Sequence, residues 1–176
     1  MNSKTTYILV AALVIVIVVA GVGIYLFMGT GGGGGGGGGG TQDTYTVANA
    51  TSLQFEANVT RQGTTLTYEW AGKNLNSTNV TLRIDLLGGE AGIYSYILNG
   101  GNQTAWAAVD GEWADISSYF NAEWNSWGTQ WTGHVNALAN WSGTGDYTYT
   151  DANGDSITIY NITINPTLPD SLFQPI

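Results

Sequence analysis

The chain has 176 residues, four of them basic and thirteen acidic, a formal charge of −9, and no cysteine. Disulfides, thiolate metal sites and a lipid-modified N-terminal cysteine are therefore excluded. Every acidic residue lies after residue 40, where only Arg61, Lys73 and Arg83 oppose them. That balance repels phosphate backbones and excludes nucleic acid as an expected partner.

Residues 1–6 form a short N-terminus containing Lys4. The 22 residues from Tyr7 to Met28, YILVAALVIVIVVAGVGIYLFM, carry no charge. As a helix they reach roughly 33 Å, enough to cross the hydrocarbon of a bilayer. A cleaved signal peptide is the alternative, but its apolar run is usually about 7–15 residues and ends in small residues. Here Tyr25, Leu26, Phe27 and Met28 occupy that place, so an uncleaved, single-pass signal-anchor is expected. Lys4 precedes the span and no basic residue follows it until Arg61. The positive-inside rule then puts the N-terminus in the cytoplasm and the remainder outside the cell. Residues 29–40 are a flexible linker ending in ten consecutive glycines, with an end-to-end distance of roughly 16–19 Å. No Lys-Ser/Thr follows the tract, so it is no phosphate-binding loop.

Residues 41–176 read as a β-rich extracellular domain. Leu53, Phe55, Ala57 and Val59 alternate with Gln54, Glu56, Asn58 and Thr60. Leu66, Tyr68 and Trp70 alternate with polar residues, as do Val80, Leu82, Ile84 and Leu86. Period two marks strands with one buried and one wet face. Two further strands are expected over 93–98 and 103–109, with Asp110-Gly111 as a turn and Glu112 to Asp115 as a polar approach to a helix. Phe120, Trp124, Trp127, Trp131, Val135, Leu138 and Trp141 then recur every three or four residues, one face of a helix over about 117–140. Gly128 and Gly133 weaken it and allow a break. A final hairpin turns at Asn153-Gly154 between 147–150 and 156–164, with Tyr160, Ile162 and Ile164 assigned to the core. After Pro166 the chain reads as an extended tail. The expected fold is α+β: a curved antiparallel sheet of about seven strands packed on one long aromatic-rich helix.

Seven asparagines stand in Asn-x-Ser/Thr: Asn49, Asn58, Asn76, Asn79, Asn102, Asn140 and Asn161. Composition alone produces roughly three such sites, so these are candidate glycosylation sites, and they agree with a domain outside the cell. A threonine- and asparagine-rich β surface producing them incidentally is the alternative. Candidate ligand-binding residues are Trp124, Trp127, Trp131 and His134 on the helix stripe, where a sheet and helix enclose an apolar ligand. The ordinary reading of the same rings is core. Asp110, Glu112 and Asp115 are a weak acid–base pair candidate for glycoside cleavage. Asp151, Asn153 and Asp155 have the spacing that opens calcium loops, but Ile162 stands where the closing glutamate belongs. No catalytic triad, zinc motif or cofactor motif is present, and no enzymatic activity or cofactor is expected.

The strand series SLQFEANVT, TLTYEWAGK and NVTLRIDLL, followed by YSYILNGGNQTAWAAVDGEWADIS, resembles the LolA/LppX-like lipoprotein-carrier fold over about residues 45–165. That resemblance implies a curved sheet around helices that holds a lipid, with the transmembrane helix replacing the lipid anchor. The layout of anchor, low-complexity linker and Thr/Asn-rich domain also resembles small archaeal cell-surface proteins. A membrane-tethered module for an apolar or lipid-like ligand is thus expected. A structural, pilin-like envelope protein is the alternative, although Lys4-Thr5-Thr6 departs from a pilin processing site.

Overall fold

The computed structural model describes residues 46–89 and 92–176. The expected anchor at 7–28 and linker at 29–40 lie outside the described residues. Among the described residues, no helix is long and apolar enough to cross a membrane.

Eight strands form one antiparallel sheet: β1 Ser52–Arg61, β2 Thr64–Lys73, β3 Thr81–Gly89, β4 Gly92–Asn99, β5 Thr104–Val109, β6 Glu112–Asp115, β7 Tyr147–Thr150 and β8 Ser156–Ile164. Their spatial order is β6-β5-β4-β3-β2-β1-β8-β7. Between β6 and β7 the chain crosses one face of the sheet as a continuous helix, α1, over 117–138. It opens as a 3₁₀ turn Ser117–Tyr119 and continues as α-helix Phe120–Glu123. A π-helical turn Trp124–Gly128 follows, and then α-helix Thr129–Leu138. The fold is α+β, with one sheet and one long helix.

The alternation expected for β1 to β3 positions the core. Phe55, Trp70, Ile84, Tyr96 and Ala107 stand in register across five strands on the helix side. Leu53, Gly72, Leu82, Leu98 and Ala105 form the next row. Side chains of both rows pack under α1 in one apolar cluster, Gly72 excepted, which offers the helix bare backbone.

Three details depart from the expected layout. β6 makes an eighth strand where a polar approach to the helix was expected. Asp110 (φ 51°) and Gly111 (φ 82°) are both left-handed, the geometry of a tight two-residue hairpin, and so return the chain beside β5. In β8, Asn161 (φ 52°) adds one residue between the pairs Tyr160↔Glu56 and Thr163↔Gln54. This bulge reverses the phase. Ile157 and Ile159 are buried and Ile162 and Ile164 pack beside them. Tyr160, expected in the core, instead lies on the outer face, where its hydroxyl donates to Asn58 at 3.4 Å. The third departure is the tail. It folds across the outer face and places a 3₁₀ turn, Asp170–Phe173, over Ala71 and Ile97. Lys73 Nζ holds Asp170 at 2.6 Å, and Arg83 Nη1 donates to the Leu172 carbonyl at 2.9 Å.

The seat of α1 on β2 gives a direct test. A Cβ on Gly72 would sit 2.6 Å from two ring carbons of Trp131. Gly72→Ala is therefore expected to lower the unfolding free energy by about 1–3 kcal/mol, read from the urea midpoint. A midpoint equal to the parent's would mean that α1 is not seated there.

Candidate functional site

The layer between α1 and the sheet holds the helix residues that the sequence marked. Trp127, Trp131 and His134 are buried, and Trp124 is half-buried, stacked on Phe120 with ring centroids 5.4 Å apart. Trp127, Trp131 and His134 meet on Trp70, at the centre of β2 and 0% exposed. Its ring lies 5.1 Å from His134, 5.9 Å from Trp127 and 6.2 Å from both Trp131 and Phe55. Tyr96 approaches Trp127 from β4, at 4.8 Å. Most of these pairs are tilted or edge-to-face, arrangements that ring quadrupoles favour.

His134 Nδ1 lies 2.7 Å from the Tyr149 hydroxyl of β7. Burial depresses its pKa to about 4, only partly offset by the Asp151 carboxylate. At neutral pH the ring is uncharged, and it braces α1 against β7.

Glu123 was not anticipated. It stands one turn before Trp127, on the same inner face, and is 3% exposed. Burial raises its pKa to about 7, and the Trp127 indole N–H nearby holds it back. That N–H falls short of hydrogen-bond geometry, so the carboxyl is only weakly supported. Six buried side-chain polar atoms of this layer have no hydrogen-bond partner among the described residues: Trp70 Nε1, Glu123 Oε2, Ser126 Oγ, Trp127 Nε1, Gln130 Nε2 and His134 Nε2. Ser126 and Trp127 belong to the π turn, with Glu123 and Gln130 beside it and His134 further along the helix, and π turns recur at functional sites. The signal was legible in part, because Glu123 and His134 both fall on the helix's apolar period.

The remaining candidates do not join this layer. Asp110 lies in the tight turn, and Glu112 and Asp115 are exposed on opposite faces of β6. The Ser117 hydroxyl, and then its backbone N–H, which donates to Asp115 at 2.8 Å, lower the Asp115 pKa. Asp151 uses its carboxylate within the β7–β8 turn, accepting from the backbone N–H groups of Asn153 and Asp155 at 2.8 and 2.9 Å. Asp155 pairs with Arg61. The turn's oxygens are thus spent on the hairpin, and among the described residues no three His, Cys, Asp or Glu side chains are grouped to hold a metal. An open, largely polar groove of about 440 Å³ lies between Trp141 and 161–163. Of the sequon asparagines, Asn58 is half-buried within β1 and the other six are exposed.

No family model matches the chain, and no curated protein is similar to it.

The two titrating groups in the layer oppose each other. Glu123 holds its proton more tightly folded than unfolded. Its contribution is fully present below about pH 4.5 and is lost as pH rises to about 7. His134 behaves inversely: its contribution is fully present above about pH 6.5 and is lost as pH falls to about 4. The melting temperature of Glu123→Gln, relative to the parent, should therefore rise steadily between pH 4.5 and 7. The corresponding free-energy change is about 2–3 kcal/mol. A difference that does not move with pH would show that Glu123 reaches water.

Proposed function

We propose that this chain is a membrane-tethered, extracytoplasmic binding module whose helix–sheet layer receives an apolar or lipid-like ligand bearing a hydrogen-bond-accepting end. The observation that carries the reading is the set of unpartnered buried groups along α1 and on Trp70 of β2. Four of the six are N–H donors or potential donors, from Trp70, Trp127, Gln130 and His134, and Trp70, Trp127 and His134 are set among aromatic rings. Such a wall suits a ligand that is apolar over most of its length and accepts hydrogen bonds at one point. The resemblance to the lipoprotein-carrier fold implies the same ligand class. The uncharged run at 7–28, with Lys4 before it, supports the tether and its orientation.

A second reading, a structural surface protein, is favoured by a different contact. Trp131 lies flush against the Gly72 backbone, as in a filled core. On this reading the layer simply seats the helix, and filaments of the purified chain in electron micrographs would support it.

Intrinsic fluorescence separates the two. All seven tryptophans follow residue 40, so emission reports the domain and not the anchor. A brominated fatty acid, added to the full chain below its micelle concentration, is expected to quench this emission saturably, and Trp127→Phe should reduce the quenchable fraction. Quenching by aqueous iodide alone, with none from the brominated acid, would remove the binding reading.

A further inference from the structure

The seven sequons are not equivalent in the folded domain. Four of them lie on one rim, where Asn79 shares the β2–β3 loop with Asn76. Asn49 lies just before β1, Asn76 in the loop from β2 to β3, and Asn102 in the loop from β4 to β5. Successive contacts join these segments. The Asn76 side-chain amide donates to the Asn49 carbonyl at 3.5 Å, and Leu75 N–H donates to the Thr51 carbonyl at 3.1 Å. Gly100 N–H then donates to the Val80 carbonyl at 2.8 Å, bringing the β4–β5 loop against the β2–β3 loop. The rim is the end of the sheet at which the described chain begins, at residue 46. None of its three loops, 46–51, 74–80 and 99–103, contains a charged residue, although the chain as a whole is strongly acidic.

At each of these three positions the asparagine is exposed and lies outside the strand ladders. In the third sequon the Thr104 hydroxyl donates to the Asn102 side-chain oxygen at 2.7 Å, so the hydroxyl that completes the motif already faces its asparagine. Other sequons are constrained. Asn58 sits mid-strand between Thr67 of β2 and Thr158 of β8, and its oxygen accepts from the Thr67 hydroxyl at 2.8 Å. The Asn161 amide nitrogen, the atom a glycan would join, donates to the Glu56 carboxylate at 2.7 Å, a much closer contact than the 3.5 Å from the Asn76 amide to the Asn49 carbonyl. Asn79 is wedged against Gly101, where a Cβ would stand 2.5 Å from its side-chain oxygen, and its partner Thr81 is 4% exposed.

We propose that Asn49, Asn76 and Asn102 carry N-linked oligosaccharides, which form a collar around the tether-side rim of the domain. This rests on the extracytoplasmic reading above. The neutral, hydroxyl- and amide-rich rim takes bulky, uncharged, hydrophilic chains without burying apolar surface or opposing like charge. Placed there, the collar holds the sheet off the bilayer, at the end the linker would otherwise let touch it.

Glycopeptide mass spectrometry of the full chain, purified from the membranes of the cells that produce it, tests this. Hexose-bearing peptides are expected at Asn49, Asn76 and Asn102, and unmodified peptides at Asn58, Asn79 and Asn161. Thr51→Val, Thr78→Val and Thr104→Val together, which leave each asparagine in place, should remove the rim glycans, as should the three Asn→Gln changes. Unmodified rim peptides, or equal occupancy at Asn58 and Asn161, would overturn the collar. Protease added to intact cells separates this from the topology. A domain that is cleaved yet unmodified leaves the extracytoplasmic reading standing without its collar, whereas a protected domain removes both.

Discussion

The packing of α1 across the sheet, through Trp70, is the contact on which the rest of the domain depends. With no cysteine there is no covalent staple, and eight short antiparallel strands need a covered face to persist. The sheet prepares that face by size. Gly72, Ala57, Ala105 and Ala107 stand on the helix side among large residues, and Trp131 fills the depression over Gly72. Trp124 does the same over Gly100 at the sheet's end. Small residues under large ones let the two layers interdigitate at native density. Removing one such ring costs about 3–5 kcal/mol, a large share of the 5–15 kcal/mol that holds a typical domain.

The domain has few charges to spend on structure. Each of its three cations is committed: Arg61 to Asp155, Lys73 to Asp170 and Arg83 to Asp85. Arg83 also holds the Leu172 carbonyl and lies over the Trp113 ring, so it fastens the tail as much as it balances Asp85. Among the described residues the remaining acids have no ion-pair partner, and the surface they leave favours solvation over contact with anionic partners.

How far the sequence discloses this structure depends on which physical signal each element carries. Strands β1 to β3 declare themselves because alternate residues face water and core over many residues, and the helix does so through its aromatic period. The eighth strand was hidden by its brevity: Glu112–Asp115 is too short for a pattern, and only Asp110-Gly111 betrayed the hairpin. In β8 the run Ile157, Ile159, Ile162, Ile164 contains its own phase break, which is the bulge at Asn161 written in sequence. The tail's docking left almost no trace, since Leu168, Leu172 and Phe173 have no period and their partners on the sheet are 55 or more residues away. Of the site, Trp127, Trp131 and His134 were legible as a stripe. Glu123 shared their phase but not their polarity, and polarity alone argued for water.

That polar residue bears on what the layer is for. A buried group without a partner costs about 1–3 kcal/mol, and native proteins keep few of them. Here six lie in a single layer, among the described residues, in a domain with no disulfide to offset them. A core selected only for packing would place leucine or phenylalanine at positions 123, 130 and 134, as it does at 120 and 138. The π turn compounds the point, because it exchanges regular α-helical bonding for a wider turn between Glu123 and Thr129. Deficits of hydrogen bonding and of helical regularity coincide on the stretch of α1 that faces Trp70, Tyr96 and Phe55.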